Sequence, residues 1–116
     1  MIGMGPPGRI FLYRGAADMR KGFDGLAGIV RGELGADPMD GTLFVFLNRH
    51  RRALKALYWD RDGFALWSKR LERGRFAPPP GDSGVIGRAE LALLLEGIDV
   101  QVLHRGERWS RPDTNR

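Results

Sequence analysis

Residues 42–70 read TLFVFLNRHRRALKALYWDRDGFALWSKR and contain three runs rich in apolar, β-favouring residues. The runs are 42–47, 53–59 and 64–70, and two polar segments, NRHRR and DRDG, separate them. Apolar runs of this length bounded by turn residues are typical of strands, and Asp-Gly is typical of a tight hairpin turn. The first run is almost entirely apolar, which predicts a strand buried on both faces. The stretch therefore predicts a three-stranded antiparallel meander.

The chain before residue 42 predicts one strand and one helix. The apolar run 10–13 predicts the strand. Residues 19–34 carry apolar side chains at helical spacing, and we expect the Asp18 carboxylate to cap the N-terminus of this helix. Gly35 is placed to take the left-handed conformation that ends it.

The chain after residue 70 predicts a spacer, a second helix and a last strand. The PPPGDSG segment at 78–84 cannot continue a sheet or a helix. Residues 88–96 have a leucine stripe followed by Gly97, which predicts the helix, and 100–103 predicts the strand. The expected fold is α+β, with a small, mostly antiparallel sheet and two helices.

The length of 116 residues is typical of one domain. We expect a flexible arm over 1–9, a single α+β domain over 10–103 and a polar tail over 104–116. No apolar run reaches the roughly 18 residues that a membrane span needs, and the first residues lack the pattern of a signal peptide. We therefore expect a soluble, cytoplasmic protein without a membrane partner. We also expect no small-molecule substrate.

The positive charge is concentrated in one segment. The whole chain has a net charge of +5, whereas residues 49–76 alone hold nine basic and three acidic side chains. In an antiparallel meander, the turn after the first strand lies at the same end of the sheet as the end of the third strand. A contiguous cationic surface of this kind is typical of proteins that bind nucleic acid phosphates. The residues expected to contact DNA here are Arg49, Arg51, Arg52, Lys55, Lys69, Arg70, Arg73 and Arg75. The alternative is a solvated charged face, which is what most charge runs are.

The sequence favours no catalytic or metal site. The absence of cysteine excludes disulfides, thiol catalysis and Cys-based zinc sites. The DRDG turn begins like a calcium loop but lacks the glutamate that such a loop needs at its twelfth position. Asp18, Asp24 and Asp99 have contexts typical of caps and loops, and His50 and His104 have no catalytic partner at a useful spacing. No phosphate-binding glycine motif follows a strand. We expect no cofactor, no metal and no enzymatic activity.

Five ordered motifs within residues 10–103 resemble a known family. They are DMRKGFDGL at 18–26, LFVF at 43–46, LKALYWDRDGF at 54–64, KRLERGRF at 69–76 and LLLEGID at 93–99. They are similar to the small Orf2-like accessory proteins, called TnpB, of the sixty-six family of bacterial insertion sequences. This family is distinct from the RNA-guided nucleases of the same name. The sequence departs from the family pattern at Gly87, where a serine or threonine cap is usual, and in its Gly- and Pro-rich start.

The resemblance implies a role in DNA transposition beside a separately encoded transposase that carries out the strand transfer. It supplies no catalytic residues. Within its first motif, Arg20 and Lys21 would place cations in the first turn of a helix, against the helix dipole. They are therefore candidates for binding a phosphate or a carboxylate of a partner.

Two functions remain open at this point. The first is a non-catalytic accessory protein of insertion-sequence transposition that contacts DNA, with low sequence specificity, through a basic sheet edge. The second is a protein-interaction module that docks on the element's transposase without binding DNA itself.

Overall fold

A mixed five-stranded sheet with one helix on each face makes up the fold. The computed structural model describes residues 8–97. In chain order the elements are β1 (Ile10–Ala16), α1 (Phe23–Gly32), β2 (Leu43–Leu47), β3 (Ala53–Asp60), β4 (Gly63–Arg70), β5 (Val85–Ile86) and α2 (Arg88–Glu96). The strands lie in the order β4-β3-β2-β1-β5.

The pairing of the strands corrects one expectation. Strand β2 pairs antiparallel with β3, and β3 pairs antiparallel with β4. Strand β1, however, lies parallel to β2, so the sheet is mixed and the expectation of a mostly antiparallel sheet was wrong. The reason is that α1 serves as a crossover, which returns the chain to the end of the sheet where β1 began. The α+β class is confirmed.

Helix α1 begins later than predicted, at Phe23, and its N-cap is Gly22 with no side-chain hydrogen bond. The predicted cap by Asp18 was therefore wrong. The Asp18 carboxylate instead accepts a hydrogen bond from the Arg20 amide at 2.9 Å, which forms a local turn ahead of the helix. The helix also ends earlier than predicted, at Gly32, with Glu33 as its C-cap. Gly35 has the predicted left-handed conformation, with a φ of 59°, but it lies two residues beyond the cap and does not end the helix.

The second helix was predicted with its observed bounds, whereas β5 was missed because two residues carry no periodic signal. Helix α2 begins after Gly87, whose amide donates to the Glu90 carboxylate at 2.8 Å. This bond supplies half of a capping box without a serine or threonine. The strand predicted at 100–103 lies outside the described residues.

The core has two layers, one on each side of the sheet. Phe44 and Phe46 pack with α1 on one face, while Leu43 and Val45 pack with α2 on the other. Every residue of β2 is buried, as the apolar run predicted. Strand β2 is therefore the central strand of the molecule. Its pairing with β1 and β3 fixes where the end of β1 and the start of β3 lie.

Candidate nucleic-acid interface

One end of the sheet gathers most of the basic residues of the segment 49–76. Ala53 of β3 lies opposite Arg70 of β4, so residues 48–52, called the arginine turn below, lie beside the end of β4. Ala16 pairs with Leu47, which brings the end of β1 to the same place. We call this part of the molecule the basic end. The DRDG turn, with its two aspartates, lies at the opposite end of β3 and β4.

The arginine turn is held in shape by Asn48. Its side-chain oxygen accepts hydrogen bonds from the amides of Arg52 at 2.8 Å and Ala53 at 3.1 Å. Its backbone carbonyl accepts from the Arg51 amide at 3.0 Å. Arg51 has a φ of 58°, a left-handed conformation that costs a non-glycine residue about 1 kcal/mol. The side chains of Arg49, Arg51 and Arg52 are exposed, so a well-ordered backbone presents three guanidinium groups to solvent.

The loop over residues 71–76 adds cations beside the arginine turn. The Leu71 amide donates to the Arg52 carbonyl at 2.9 Å, and the Phe76 amide donates to the Arg51 carbonyl at 2.7 Å. Phe76 is itself 1% exposed and anchors the loop in the core. The exposed cations that the loop and the end of β4 bring to the turn are Arg70, Arg73 and Arg75. Arginines that are twenty residues apart in sequence therefore share one surface.

The two lysines predicted for this surface hold the fold together. The Lys55 ammonium donates to the carbonyls of Met19 and Lys21, each at 2.8 Å. The Lys69 ammonium donates to the Leu95 carbonyl at 2.9 Å, in the last turn of α2, where the helix dipole favours a cation. The side chains of these two lysines thus extend over the two faces of the sheet, one on each face. The arginines of the turn and of the loop 71–76 lie at the end of the sheet.

Arg20 and Lys21 precede α1, so the expected conflict with the helix dipole was wrong. The Arg20 guanidinium forms an ion pair with the Asp18 carboxylate at 2.7 Å. Hydrogen bonds from the Arg20 side chain lower the pKa of Asp18 to about 2. The Ala17 amide donates to the Leu47 carbonyl at 2.9 Å, which fixes this loop against the basic end. The loop therefore borders the surface on the α1 side.

Arg14 belongs to the same end of the molecule, and sequence reasoning missed it. Its Nε donates to the Ser83 carbonyl at 2.9 Å and its Nη1 to the Pro79 carbonyl at 2.7 Å. These bonds hold the proline-rich segment 78–84 against β1. A cleft of about 280 Å³ lies between this segment and the arginine turn, and the cations that line it are Arg14, Arg49 and Arg51. The sequence feature that could have pointed to Arg14 is its position directly after the apolar run 10–13.

Replacing Arg14 with alanine is expected to release the segment 78–84. Two charge-assisted hydrogen bonds are lost, and the free energy of unfolding should fall by about 1.5–3 kcal/mol. Hydrogen exchange followed by mass spectrometry should show faster exchange in peptides that cover residues 81–86. Arg9→Ala, which removes an exposed arginine just before β1, is the matched control. Equal exchange in the two variants would contradict the role assigned to Arg14.

Within residues 8–97, no group of three or more histidine and carboxylate side chains is placed to hold a metal ion. Asp24 is exposed in the first turn of α1, and Asp99 and His104 lie outside the described residues. No helix in the described part of the chain is long and apolar enough to cross a membrane.

Comparisons with known proteins identify the family. The model of the IS66 Orf2-like proteins, TnpB_IS66, matches residues 8–105. The uncharacterized protein y4hO of Sinorhizobium fredii is 41% identical over 111 residues, which cover 94% of this chain and 95% of that protein. The uncharacterized protein y4jC of the same organism is 38% identical over 101 residues, with 85% and 86% coverage. No solved structure matches the chain significantly. The motifs, the match along nearly the whole chain and the two relatives agree: the chain belongs to the IS66 Orf2-like family.

Proposed function

We propose that this chain is a non-catalytic, cytoplasmic accessory protein of IS66-type transposition that contacts the DNA phosphate backbone through its basic end. One observation carries the proposal: the arginine turn, the loop 71–76 and the end of β4 converge on one surface. Membership in the IS66 Orf2-like family supports transposition as the setting.

The chemistry of the exposed groups favours phosphate as the ligand. A guanidinium group donates two parallel hydrogen bonds to one phosphate and stays charged at any physiological pH. The arginines at the centre of the surface belong to a turn whose backbone Asn48 orders, so little conformational freedom of the backbone is lost on binding. Arg20 already has a carboxylate partner in Asp18, and we assign it and Lys21 to the border of the surface. Lys55 and Lys69 contribute through the long-range field of their charges.

The shape of the basic end favours backbone contact over base reading. The arginines lie on a turn and a loop at a sheet end, and in the part of the chain that the structure describes no helix or two-stranded ribbon projects there to enter a major groove. Three arginines and one carboxylate, that of Asp82, line the cleft beside Arg14, so the positive charge of this cleft favours the passage of a phosphate backbone along it. Such contacts position a protein on DNA without specifying a sequence.

The direct test is the salt dependence of binding to duplexes of unrelated sequence. Six to eight neutralised phosphates would give a log–log slope of roughly −5 to −7, with similar affinity for element ends and for unrelated DNA. Fluorescence anisotropy of the purified full chain at several salt concentrations measures both quantities. A chain that binds no duplex at low salt, and joins DNA only when the element's transposase is present, would contradict the proposal.

That second result would favour docking on the transposase, the other candidate function. Its support lies in large apolar side chains that the fold leaves exposed: Phe23 is 48% exposed on α1 and Leu93 is 67% exposed on α2. A pull-down with the transposase, with and without element-end DNA, separates the two functions.

A further inference from the structure

The two edges of the sheet, as residues 8–97 form it, differ in kind. At one edge β5 has only two residues, and a short edge strand gives a second chain little to pair with. At the other edge β4 has eight residues, no proline and an unbroken register against β3 from Gly63 to Arg70. A long, regular edge strand presents a row of backbone donors and acceptors to another strand.

The side chains of β4 leave this edge unprotected. Its central residues are half-buried: Phe64 and Leu66 pack toward the α1 layer, and Ala65 and Trp67 pack toward the α2 layer. A lysine often guards an edge strand, but the Lys69 ammonium is bound to the Leu95 carbonyl of α2. Among residues 8–97, nothing covers the flank of the two core layers along β4.

We propose that β4 pairs with β4 of a second copy of this chain, antiparallel, about a two-fold axis at Leu66. In this register Trp67 lies opposite Ala65 of the second copy, and Phe64 lies opposite Ser68, so a large side chain meets a small one on each face. The two five-stranded sheets become one continuous sheet. Each interface residue is used twice, as a two-fold interface requires.

Charge complementarity selects this occupant and this register. With Leu66 on the axis, Asp62, in the turn directly before β4, comes beside Arg70 at the far end of the second copy's β4, and the pair occurs twice. Antiparallel pairing allows only shifts of two residues, because alternate residues direct their backbone groups outward. A shift of two residues in one direction sets Phe64 opposite Arg70, which places an apolar ring against a charge. The same shift in the other direction sets Arg61 opposite Lys69, which places two like charges together.

Charge exchange tests the proposal without reference to DNA binding. Sedimentation velocity of the DNA-free full chain over a range of concentrations should show a monomer–dimer equilibrium. Arg70→Asp and Asp62→Arg should each weaken the dimer by at least about tenfold, because each creates two like-charge pairs. The double variant D62R/R70D restores opposite charges, and its dissociation constant should return to within about threefold of the parent value. A double variant as weak as the single ones would overturn the register.

Cross-linking tests the axis independently, since the chain contains no cysteine. In Leu66→Cys the two thiols face each other, and a short bis-maleimide should join the copies. In Ser68→Cys the thiol faces Phe64, and the same reagent should give little product. Circular dichroism checks that both cysteine variants fold. If one of them does not fold, the charge-exchange variants still test the proposal. A chain that is a monomer at every concentration would overturn the proposal, whatever covers β4 in the monomer. Equal cross-linking of the two cysteine variants would overturn it as well.

Discussion

Replacing Arg49, Arg51 and Arg52 together with glutamate is expected to weaken binding to unrelated duplex DNA by at least about 100-fold near 100 mM salt. Each arginine removed takes one phosphate contact with it, so the log–log salt slope should shrink by about three. The three side chains are exposed and the turn is held by the Asn48 side chain, so the fold should persist. Fluorescence anisotropy at several salt concentrations measures the affinity and the slope.

A control with the same change in net charge uses Arg31, Arg61 and Arg88, all exposed and outside the basic end. Arg61 matches Arg51 closely, because it has a φ of 56° in the hairpin turn at the opposite end of β3 and β4. Arg51→Gly separates binding from folding in a second way. Glycine suits the left-handed conformation, so stability should be unchanged or higher by up to about 1 kcal/mol while binding weakens. Equal loss of affinity in the two triple variants would show that only total charge matters.

Replacing Phe46 with alanine is expected to lower the free energy of unfolding by about 3–5 kcal/mol. The ring is fully buried between β2 and α1, and its centroid lies 5.7 Å from that of Tyr13. The loss combines the transfer of the ring to water with the cavity that remains. Urea denaturation followed by circular dichroism measures the change.

Phe23→Ala is the matched control, since Phe23 is 48% exposed at the start of α1. Its effect should be within about 1 kcal/mol, as for most surface substitutions. Equal losses of stability in the two alanine variants would contradict the placement of Phe46 in the core layer between β2 and α1.

Sequence reasoning succeeded where a single segment contains all the information needed. The run 42–47 predicted a strand buried on both faces, and the leucine stripe with Gly97 predicted α2 with its observed bounds. The convergence of the arginine turn with Arg70 followed from the geometry of two antiparallel hairpins.

It failed where two distant segments decide the outcome together. The parallel pairing of β1 with β2 depends on where α1 packs, which no local pattern encodes. The carbonyls that the Lys55 and Lys69 ammonium groups bind could not be predicted either, because a hydrogen bond from a lysine to the backbone of a distant segment leaves no signal in the sequence. The predicted Asp18 cap was wrong for a different and local reason, because the Asp18 carboxylate accepts a hydrogen bond from the Arg20 amide instead of capping the helix.

The ammonium group of Lys55 joins two of the motifs that carry the resemblance to the family. It lies in the motif at 54–64, and both carbonyls that it binds, those of Met19 and Lys21, lie in the motif at 18–26. A planar guanidinium cannot reproduce the two bonds of this compact ammonium in the same space. The two motifs therefore depend on each other in the fold, and we expect relatives that replace the lysine at this position to have a different loop ahead of α1.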